Sequence, residues 1–255
     1  MADFLASVKI ADEVFGTMMQ ALTESGEREN TIIVLTTDHG IPFPFMKCNL
    51  TDHGIGVTLA LDIPGQGKAL RGRCTDAMVS HLDLCPTVYD ALGFERPEWL
   101  EGHSLLPLME GTVDSVRDEL FAEVNFHAGY EGTRCIRTVR YKYIEVNDDD
   151  SALSLPNVET SPSKDLLFKH GLREIERKPA ALYDLLFDPN EQNNLVENPD
   201  HFDVRDDLKG RLRRWQEATD DIALKHKRIP TPPGAKINPK HCDNANQEDF
   251  EPTVG

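Results

Sequence analysis

The residues with the clearest chemical potential stand close together in the first fifth of the chain, at Asp38, His39 and Lys47. A carboxylate oxygen and an imidazole nitrogen from adjacent residues can bind one divalent cation. Lys47, nine positions after Asp38, can bring a positive charge to an anion beside that cation. The pattern therefore indicates half of a metal-dependent site that acts on an anionic group.

A buried strand is predicted directly before these residues. The run from Ile32 to Leu35 is apolar without polar alternation, which is typical of a strand covered on both faces of a parallel sheet. The carboxyl end of such a strand is where α/β sheets bind ligands, and Gly40 lets the backbone turn there. An aspartate after a strand can equally form a turn or cap a helix, so the Asp-His-Gly triplet alone leaves both interpretations open.

The first part of the chain shows an α/β pattern. Apolar residues recur at helical spacing over residues 2–24, so we expect a helix with one packed face. A second strand is predicted over 57–63 and a short helix over 83–92. Helices alternating with strands favour a parallel sheet, and we expect this domain to cover residues 1–115.

Beyond that point the pattern changes to short β segments with polar turns, over residues 120–126, 135–140, 141–146 and 182–186. These segments predict a small antiparallel sheet. Val204, Leu208, Leu212 and Trp215 share one face of a closing amphipathic helix. The predicted subdomain covers residues 116–226, and a proline-containing tail over 227–255 is expected to wrap or fray.

Composition excludes several classes of function. The chain has 255 residues with 39% apolar content, so it can bury a core and is expected to be soluble. Asp and Glu outnumber Lys and Arg by 44 to 27, which argues against a nucleic-acid partner. No run approaches the roughly 20 apolar residues of a membrane span, so we expect no membrane partner. The first residues do not resemble a signal peptide, and localisation stays open.

Four separated blocks of the chain follow the order and spacing of one protein family. They are residues 30–65, 80–87, 102–107 and 182–195. In these blocks the chain resembles the sulfatases of the alkaline-phosphatase-like superfamily, over about residues 1–225. The loop at 41–44 and the helix with Trp215 are most similar to the branch that contains heparan N-sulfatase, or sulfoglucosamine sulfohydrolase.

The resemblance implies the alkaline-phosphatase-like sulfatase fold, with part of its α/β/α sheet, a small C-terminal antiparallel sheet subdomain and a closing helix. It also implies roles for individual residues. Asp38 and His39 correspond to metal ligands, and Lys47 to a catalytic residue that contacts the sulfate oxygens. Calcium is the first expectation for the divalent cation. His39 departs from the Asn that is typical of the branch, and this imidazole favours manganese as the alternative.

Two further histidines are expected to bind substrate. His53 lies in a second Asp-His-Gly triplet, at residues 52–54, where the family has a variable loop. It corresponds to a residue at the rim of the site, although a plain turn is the alternative. His127 falls in a loop that can reach the pocket in this branch.

The resemblance covers the second half of a sulfatase. The family's nucleophile is a formylglycine made from Cys or Ser in a Cys/Ser-x-Pro/Ala-x-Arg motif, and none of the five cysteines here has an Arg four positions later. We therefore expect a complete form that hydrolyses a sulfate ester or sulfamate, on a carbohydrate, and a chain that is inactive without an N-terminal half. The alternatives are a non-catalytic degenerate or complementing fragment, and a phosphodiesterase or phosphonate hydrolase relative.

Overall fold

The computed structural model describes residues 2–65, 72 and 74–251, which form two compact units. The first unit consists of Met1–Thr36 and Leu59–Val116, and the second of Thr37–Thr58 and Arg117–Gly255. The segment with Asp38 and Lys47 thus groups with the second unit, although the predicted domain 1–115 included it. Met1, residues 66–71 and 73 of that predicted domain, and residues 252–255 of the predicted tail lie outside the described residues.

The described helices are α1 (Ala2–Glu24), α2 (Asp52–Ile55), α3 (Leu84–Leu92), α4 (Leu106–Glu110), α5 (Pro162–Lys169) and α6 (Phe202–Ala218). The described strands are β1 (Ile33–Thr36), β2 (Leu59–Asp62), β3 (Glu119–Phe126), β4 (Tyr130–Thr138), β5 (Tyr141–Val146) and β6 (Ala180–Asp184). None of these helices is long and apolar enough to cross a bilayer.

Helix α1 of the first unit forms where the apolar spacing predicts it, but its apolar face is not packed. None of its residues is buried, and Leu5, Val8, Val14 and Met18 each expose half or more of their surface. Helical period decides which residues share a face, whereas burial also requires a second layer against that face. The described residues supply no layer that buries this face, so the prediction of a packed α1 is wrong for this structure.

Strands β1 and β2 pair in the first unit as an antiparallel ribbon, with Ile33 opposite Asp62 and Thr36 opposite Leu59. The prediction that they belong to a parallel sheet is therefore wrong. Val34 and Leu35 remain about two-fifths exposed. An uninterrupted apolar run is buried on both faces only where layers cover both, and in the described residues β1 has a single strand neighbour.

The turn His81–Asp83, which leads into α3, is held by a capping box. The Ser80 hydroxyl accepts from the Leu82 N–H, and the Asp83 carboxylate accepts from the Ser80 N–H at 2.7 Å. The fully buried Asp83 also accepts from the backbone N–H of His103 at 2.8 Å. The blocks at residues 80–87 and 102–107 therefore hold each other within the first unit.

The second unit is built on a four-stranded sheet that is antiparallel, as predicted, with the strand order β3-β4-β5-β6. Ile136, Tyr143 and Leu182 on one face pack against Leu208 and Leu212 of α6. All five side chains are at most 2% exposed, and burying one such apolar side chain stabilises the fold by about 1.5–3 kcal/mol. The predicted closing helix is confirmed by this packing.

The tail wraps over the second unit in its described part. Ile229 and Ile237 are buried, and the Ile229 N–H donates to the Tyr130 hydroxyl at 3.0 Å. The Asn238 N–H donates to the Ala128 carbonyl at 2.7 Å. Of the two predicted behaviours, the structure has the tail bound to the sheet rather than frayed, up to residue 251.

The turn that follows β6 directs one carboxylate into the second unit. Asn194 accepts from the Leu182 N–H at 3.0 Å, and Asp188 accepts from the Asn193 N–H at 2.8 Å. Between them Glu191 adopts a φ of 53°, a left-handed conformation that is uncommon for a residue with a side chain. Only 5% of Glu191 remains exposed, so this turn places an acidic side chain in the interior of the second unit.

Candidate functional site

Four of the five predicted site residues lie in the Thr37–Thr58 segment of the second unit, here called the site loop. Two glycines close this loop. The Gly40 N–H donates to the Gly54 carbonyl at 2.9 Å. A Cβ at Gly40 would lie 1.8 Å from the carbonyl oxygen of His53, and a Cβ at Gly54 would lie 2.1 Å from that of Asn49. The two triplets therefore meet through their glycines, because only a residue without a side chain permits this approach.

Asp38 and His39 lie side by side, with 3.4 Å between Asp38 Oδ2 and His39 Nε2. His39 Nδ1 is 2.6 Å from the Gly40 carbonyl oxygen, which can only accept a hydrogen bond. In the neutral imidazole Nδ1 therefore carries the proton and Nε2 keeps a free lone pair. The Asp38 side chain is 85% exposed, so its carboxylate is open to a ligand.

This pair fits part of the coordination shell of a divalent cation. A carboxylate oxygen suits calcium, while the imidazole nitrogen also suits manganese and other transition metals. In the part of the chain that the structure describes, no group of three or more His, Cys, Asp or Glu side chains could hold a metal ion. Asp38 and His39 can thus provide two ligands of such a cation.

Lys47 is held by an acid that the sequence did not indicate. Its Nζ lies 2.9 Å from Glu159 Oε1, and the Lys47 side chain is only 17% exposed. The hydrogen bond from Lys47 lowers the pKa of Glu159 below its ordinary value. The two residues are 112 positions apart, and Glu159 lies in a polar stretch without a motif, so no local signal could have paired them.

His127, which directly follows β3, completes this group. Burial lowers the pKa of His127, and the positive charge of Lys47 lowers it further, while Glu159 opposes the shift and His39 contributes a smaller lowering effect. The charges of Lys47, Glu159 and His39 thus act on the His127 ring, and Lys47 and Glu159 are in direct contact with each other. His127 thus comes from outside the site loop to act with His39 and Lys47 of that loop, and Glu159 joins them through its contact with Lys47.

His53 faces another part of the second unit. It lines a cavity of about 890 Å³ between the site loop and the sheet, whose walls include Phe45, Thr133, Ile144 and Tyr183. Small-molecule sites commonly have volumes of about 300–1,000 Å³. Neither the Asp38 and His39 pair nor Lys47 and His127 line this cavity. His53 thus lines a different cavity from the other predicted site residues, although its backbone lies against Gly40.

Comparisons with known proteins identify the family of this chain. A sequence model of the family described as N-sulphoglucosamine sulphohydrolase, C-terminal, matches residues 39–178, more than half of the chain. The chain is 28% identical over 199 residues to an ulvan-active sulfatase of Formosa agariphila, covering 76% of this chain and 39% of that protein. It is 27% identical over 234 residues to human N-sulphoglucosamine sulphohydrolase, covering 82% of this chain and 46% of the relative. The chain therefore spans less than half the length of both relatives.

Solved structures share the fold. A protein determined in complex with its substrate D-glucosamine-2-N,6-O-disulfate superposes with a TM-score of 0.66 at 23% identity, over 88% of this chain and 42% of that one. The phosphonate monoester hydrolase of Agrobacterium radiobacter superposes with a TM-score of 0.59 at 26% identity, over 80% and 38% of the two chains. The alkaline-phosphatase-like sulfatase fold is thereby confirmed. Given the match over residues 39–178, the chain belongs to the N-sulphoglucosamine sulphohydrolase C-terminal family of the sulfatases.

Proposed function

We propose that the chain forms the anion-binding and metal-binding C-terminal portion of a sulfatase whose complete form hydrolyses a sulfate ester or sulfamate on a carbohydrate. The observation that carries this proposal is the family match over residues 39–178, a region that contains His39, Lys47 and His127. The human relative is named for a sulfamate-bearing sugar, and one structural neighbour was solved with a sulfated glucosamine. Both support a sulfated carbohydrate as substrate.

Lys47 is the proposed catalytic residue of this chain. Its ammonium group would contact the sulfate oxygens and stabilise the negative charge that develops on them in the transition state. For this contact the Lys47 ammonium must share or exchange its bond to Glu159. His127 beside Lys47, and His53 on the cavity wall, are proposed to contact the rest of the substrate.

Asp38 and His39 are the proposed ligands of a divalent cation, with calcium as the first candidate and manganese as the alternative. Such a cation, when bound, neutralises charge on the sulfate oxygens and on the nucleophile. The contact between His39 Nδ1 and the Gly40 carbonyl supports this role, because it fixes the ring and leaves Nε2 free for a metal.

An N-terminal sulfatase half is the proposed partner that supplies the nucleophile and the remaining metal ligands. Two observations support it. Both relatives are more than twice as long as the region they share with this chain. In addition, α1 of the first unit exposes Leu5, Val8 and Met18, an apolar face of the kind that marks a contact surface. We accordingly expect the chain alone to be inactive.

Reconstitution tests this proposal. The full chain is mixed with the separately expressed N-terminal region of human N-sulphoglucosamine sulphohydrolase, association is followed by native mass spectrometry, and hydrolysis of an N-sulfated glucosamine is measured. We expect turnover only in the mixture, and a loss of about 10²–10³-fold in kcat with Lys47→Ala. Lys225→Ala, which removes an exposed lysine paired with Asp220, is the control and retains turnover. Turnover that is insensitive to Lys47→Ala, or a complex without turnover, would contradict the proposal.

A second candidate is a phosphonate or phosphodiester hydrolase, because the Agrobacterium radiobacter enzyme shares the fold at 26% identity. Sulfate and phosphate esters differ mainly in charge. The same mixture is therefore assayed with an aryl sulfate and an aryl phosphodiester, and faster turnover of the phosphodiester would favour this candidate. A stable associated complex that turns over neither substrate would favour a non-catalytic role.

A further inference from the structure

The aspartate of the second triplet is tied into a buried group of charges. Asp52 Oδ1 lies 2.5 Å from Lys142 Nζ, and Arg137 binds the same carboxylate at about 3.0 Å. Glu191 contacts both ends of this arrangement: its Oε1 lies 2.6 Å from Lys142 Nζ, and its Oε2 accepts from the backbone N–H of Asp52 at 2.7 Å. Two acids and two bases therefore neutralise one another.

The charged side chains of this group depend on one another because two of them are buried. The side chains of Lys142 and Glu191 are both fully buried, so each requires the opposite charge to offset its lost hydration. A hydrogen bond from Asp52 N–H to a carboxylate also satisfies a backbone donor at the start of α2. Since Glu191 belongs to the turn after β6, the group joins that turn and β5 to the site loop.

Short backbone contacts connect helix α2 to the segment that carries the proposed metal ligands. Residue Gly54 of α2 accepts from the Gly40 N–H, and Gly40 directly follows His39. The Gly40 carbonyl in turn lies 2.6 Å from His39 Nδ1. A shift of α2 would therefore move Gly40, and a shift of Gly40 would turn the His39 ring.

We propose that Glu191, assisted by Lys142, is a positioning residue that orients His39 by holding Asp52 at the start of α2. Asp52 of the second triplet then links the site loop to the turn after β6. We call the group of Asp52, Arg137, Lys142 and Glu191 the clasp. The orientation of the His39 ring by this clasp is a property of the chain itself, whereas its use for a metal rests on the function proposed above.

Hydrogen exchange of individual backbone amides, measured by NMR on the full chain, tests the inference. Glu191→Ala removes the acceptor for Asp52 N–H, and we expect the Gly40 amide to exchange at least tenfold faster. Amides of β4 and β5 that pair Cys135 with Ile144 should change by less than twofold. The imidazole nitrogen resonances of His39 should shift as well. Asp243→Asn, which removes an exposed carboxylate paired with Arg173, is the control and leaves all of these values unchanged.

A conservative variant separates positioning from general stability. Glu191→Gln keeps an oxygen that can accept from Asp52 N–H, so it should restore most of the Gly40 protection lost in Glu191→Ala. If Glu191→Ala does not fold, Glu191→Asp replaces it, because the shorter acid keeps its charge but cannot reach the Asp52 N–H. Asp also tolerates the left-handed backbone at this position.

Two results would overturn the inference: Gly40 exchange within twofold of the wild type, or an equal acceleration at Gly40 and in the sheet. A Mn²⁺ titration of the wild-type chain, followed by paramagnetic broadening of the His39 resonances, separately tests the proposed ligand role. Accelerated Gly40 exchange in the variant together with no broadening in the wild type would support the clasp and contradict the metal site.

Discussion

Lys47 Nζ lies 2.9 Å from Glu159 Oε1, so the proposed sulfate-binding ammonium of the site loop is already neutralised by an acid of the second unit. The two charges attract, but the acid side chain is half exposed and the pair can open. An arriving sulfate and the Glu159 carboxylate are both anions and compete for one cation. This competition has measurable consequences.

Replacing Glu159 by Gln should strengthen the binding of inorganic sulfate to the chain. A partly exposed ion pair is worth about 0.2–1 kcal/mol, and its removal as a competitor corresponds to a gain in affinity of up to about fivefold. Isothermal titration with sulfate at constant ionic strength measures this gain. Asp243→Asn, which also removes one exposed negative charge, should leave the affinity unchanged. Equal or weaker binding by Glu159→Gln would mean that the two anions do not compete.

The pKa of His127 reports on the same group. Burial and Lys47 both lower it below its ordinary value of 6.5, and Glu159 raises it. Lys47→Met should therefore raise the pKa of His127, and Glu159→Gln should lower it further. An NMR titration of the His127 ring measures both shifts. Shifts of the same sign in the two variants, or none, would show that the side chains are not neighbours in solution.

The clasp predicts opposite pH dependences for its two acids. Arg137 and Lys142 hold the pKa of Asp52 below 3.8 despite burial, so its contribution to stability is present above pH 3.8 and is lost as pH falls through the lowered pKa. Burial raises the pKa of Glu191 above 4.5, and the negative charge of Asp52 adds to this shift, although Lys142 and the Asp52 N–H oppose it. The contribution of Glu191 is therefore full below pH 4.5 and is lost as pH rises through the raised pKa.

Urea unfolding of the wild type, Asp52→Asn and Glu191→Gln between pH 3 and pH 7 measures these signs. The destabilisation by Asp52→Asn should grow with rising pH. Breaking a buried ion pair costs roughly 3–5 kcal/mol. At neutral pH the destabilisation by Asp52→Asn should lie near the lower end of this range, since about a third of the Asp52 side chain is exposed. The destabilisation by Glu191→Gln should shrink over the same pH range. Parallel profiles would contradict the assignment of the two pKa directions.

Gly54→Ala should destabilise the second unit, because the new Cβ would lie 2.1 Å from the Asn49 carbonyl oxygen and 2.4 Å from that of Met46. Overpacking of this kind costs about 1–3 kcal/mol. Gly16→Ala is the matched control, since nothing lies within 4 Å of a Cβ there and alanine favours the interior of α1 by about 0.5–1 kcal/mol. Thermal unfolding compares the two variants. If Gly54→Ala leaves the stability unchanged, the backbone around Gly54 has room for a Cβ and the proposed close contact is wrong.

Sequence pattern predicted those parts of the fold that depend on local period. The helix α1, the four strands of the second unit and the closing helix α6 follow from the spacing of apolar residues and from turn residues between them. Period could not predict that α1 is exposed or that β1 and β2 are antiparallel, because burial and strand direction depend on neighbouring layers.

In the candidate site, too, local sequence pattern indicated some residues, whereas others depend on tertiary packing. Asp38, His39 and Lys47 could be proposed as site residues because they lie close together in the sequence, and family resemblance gave them roles. The partners Glu159 and Glu191 were not found, since they reach Lys47 and Asp52 across 112 and 139 residues of chain. Contacts of that separation arise from tertiary packing and leave no periodic trace in the sequence.

The most direct test of the account is to map inorganic sulfate on the full chain by NMR, following backbone amides and histidine rings of the wild type and of Lys47→Met. We predict that sulfate shifts the resonances of Lys47 and His127, and that Lys47→Met abolishes the shift at His127. Lys225→Met, which removes an exposed lysine outside the site loop, should respond as the wild type does. Unchanged resonances at Lys47 and His127, or equal shifts in the wild type and Lys47→Met, would contradict the proposal that this group of residues binds the sulfate.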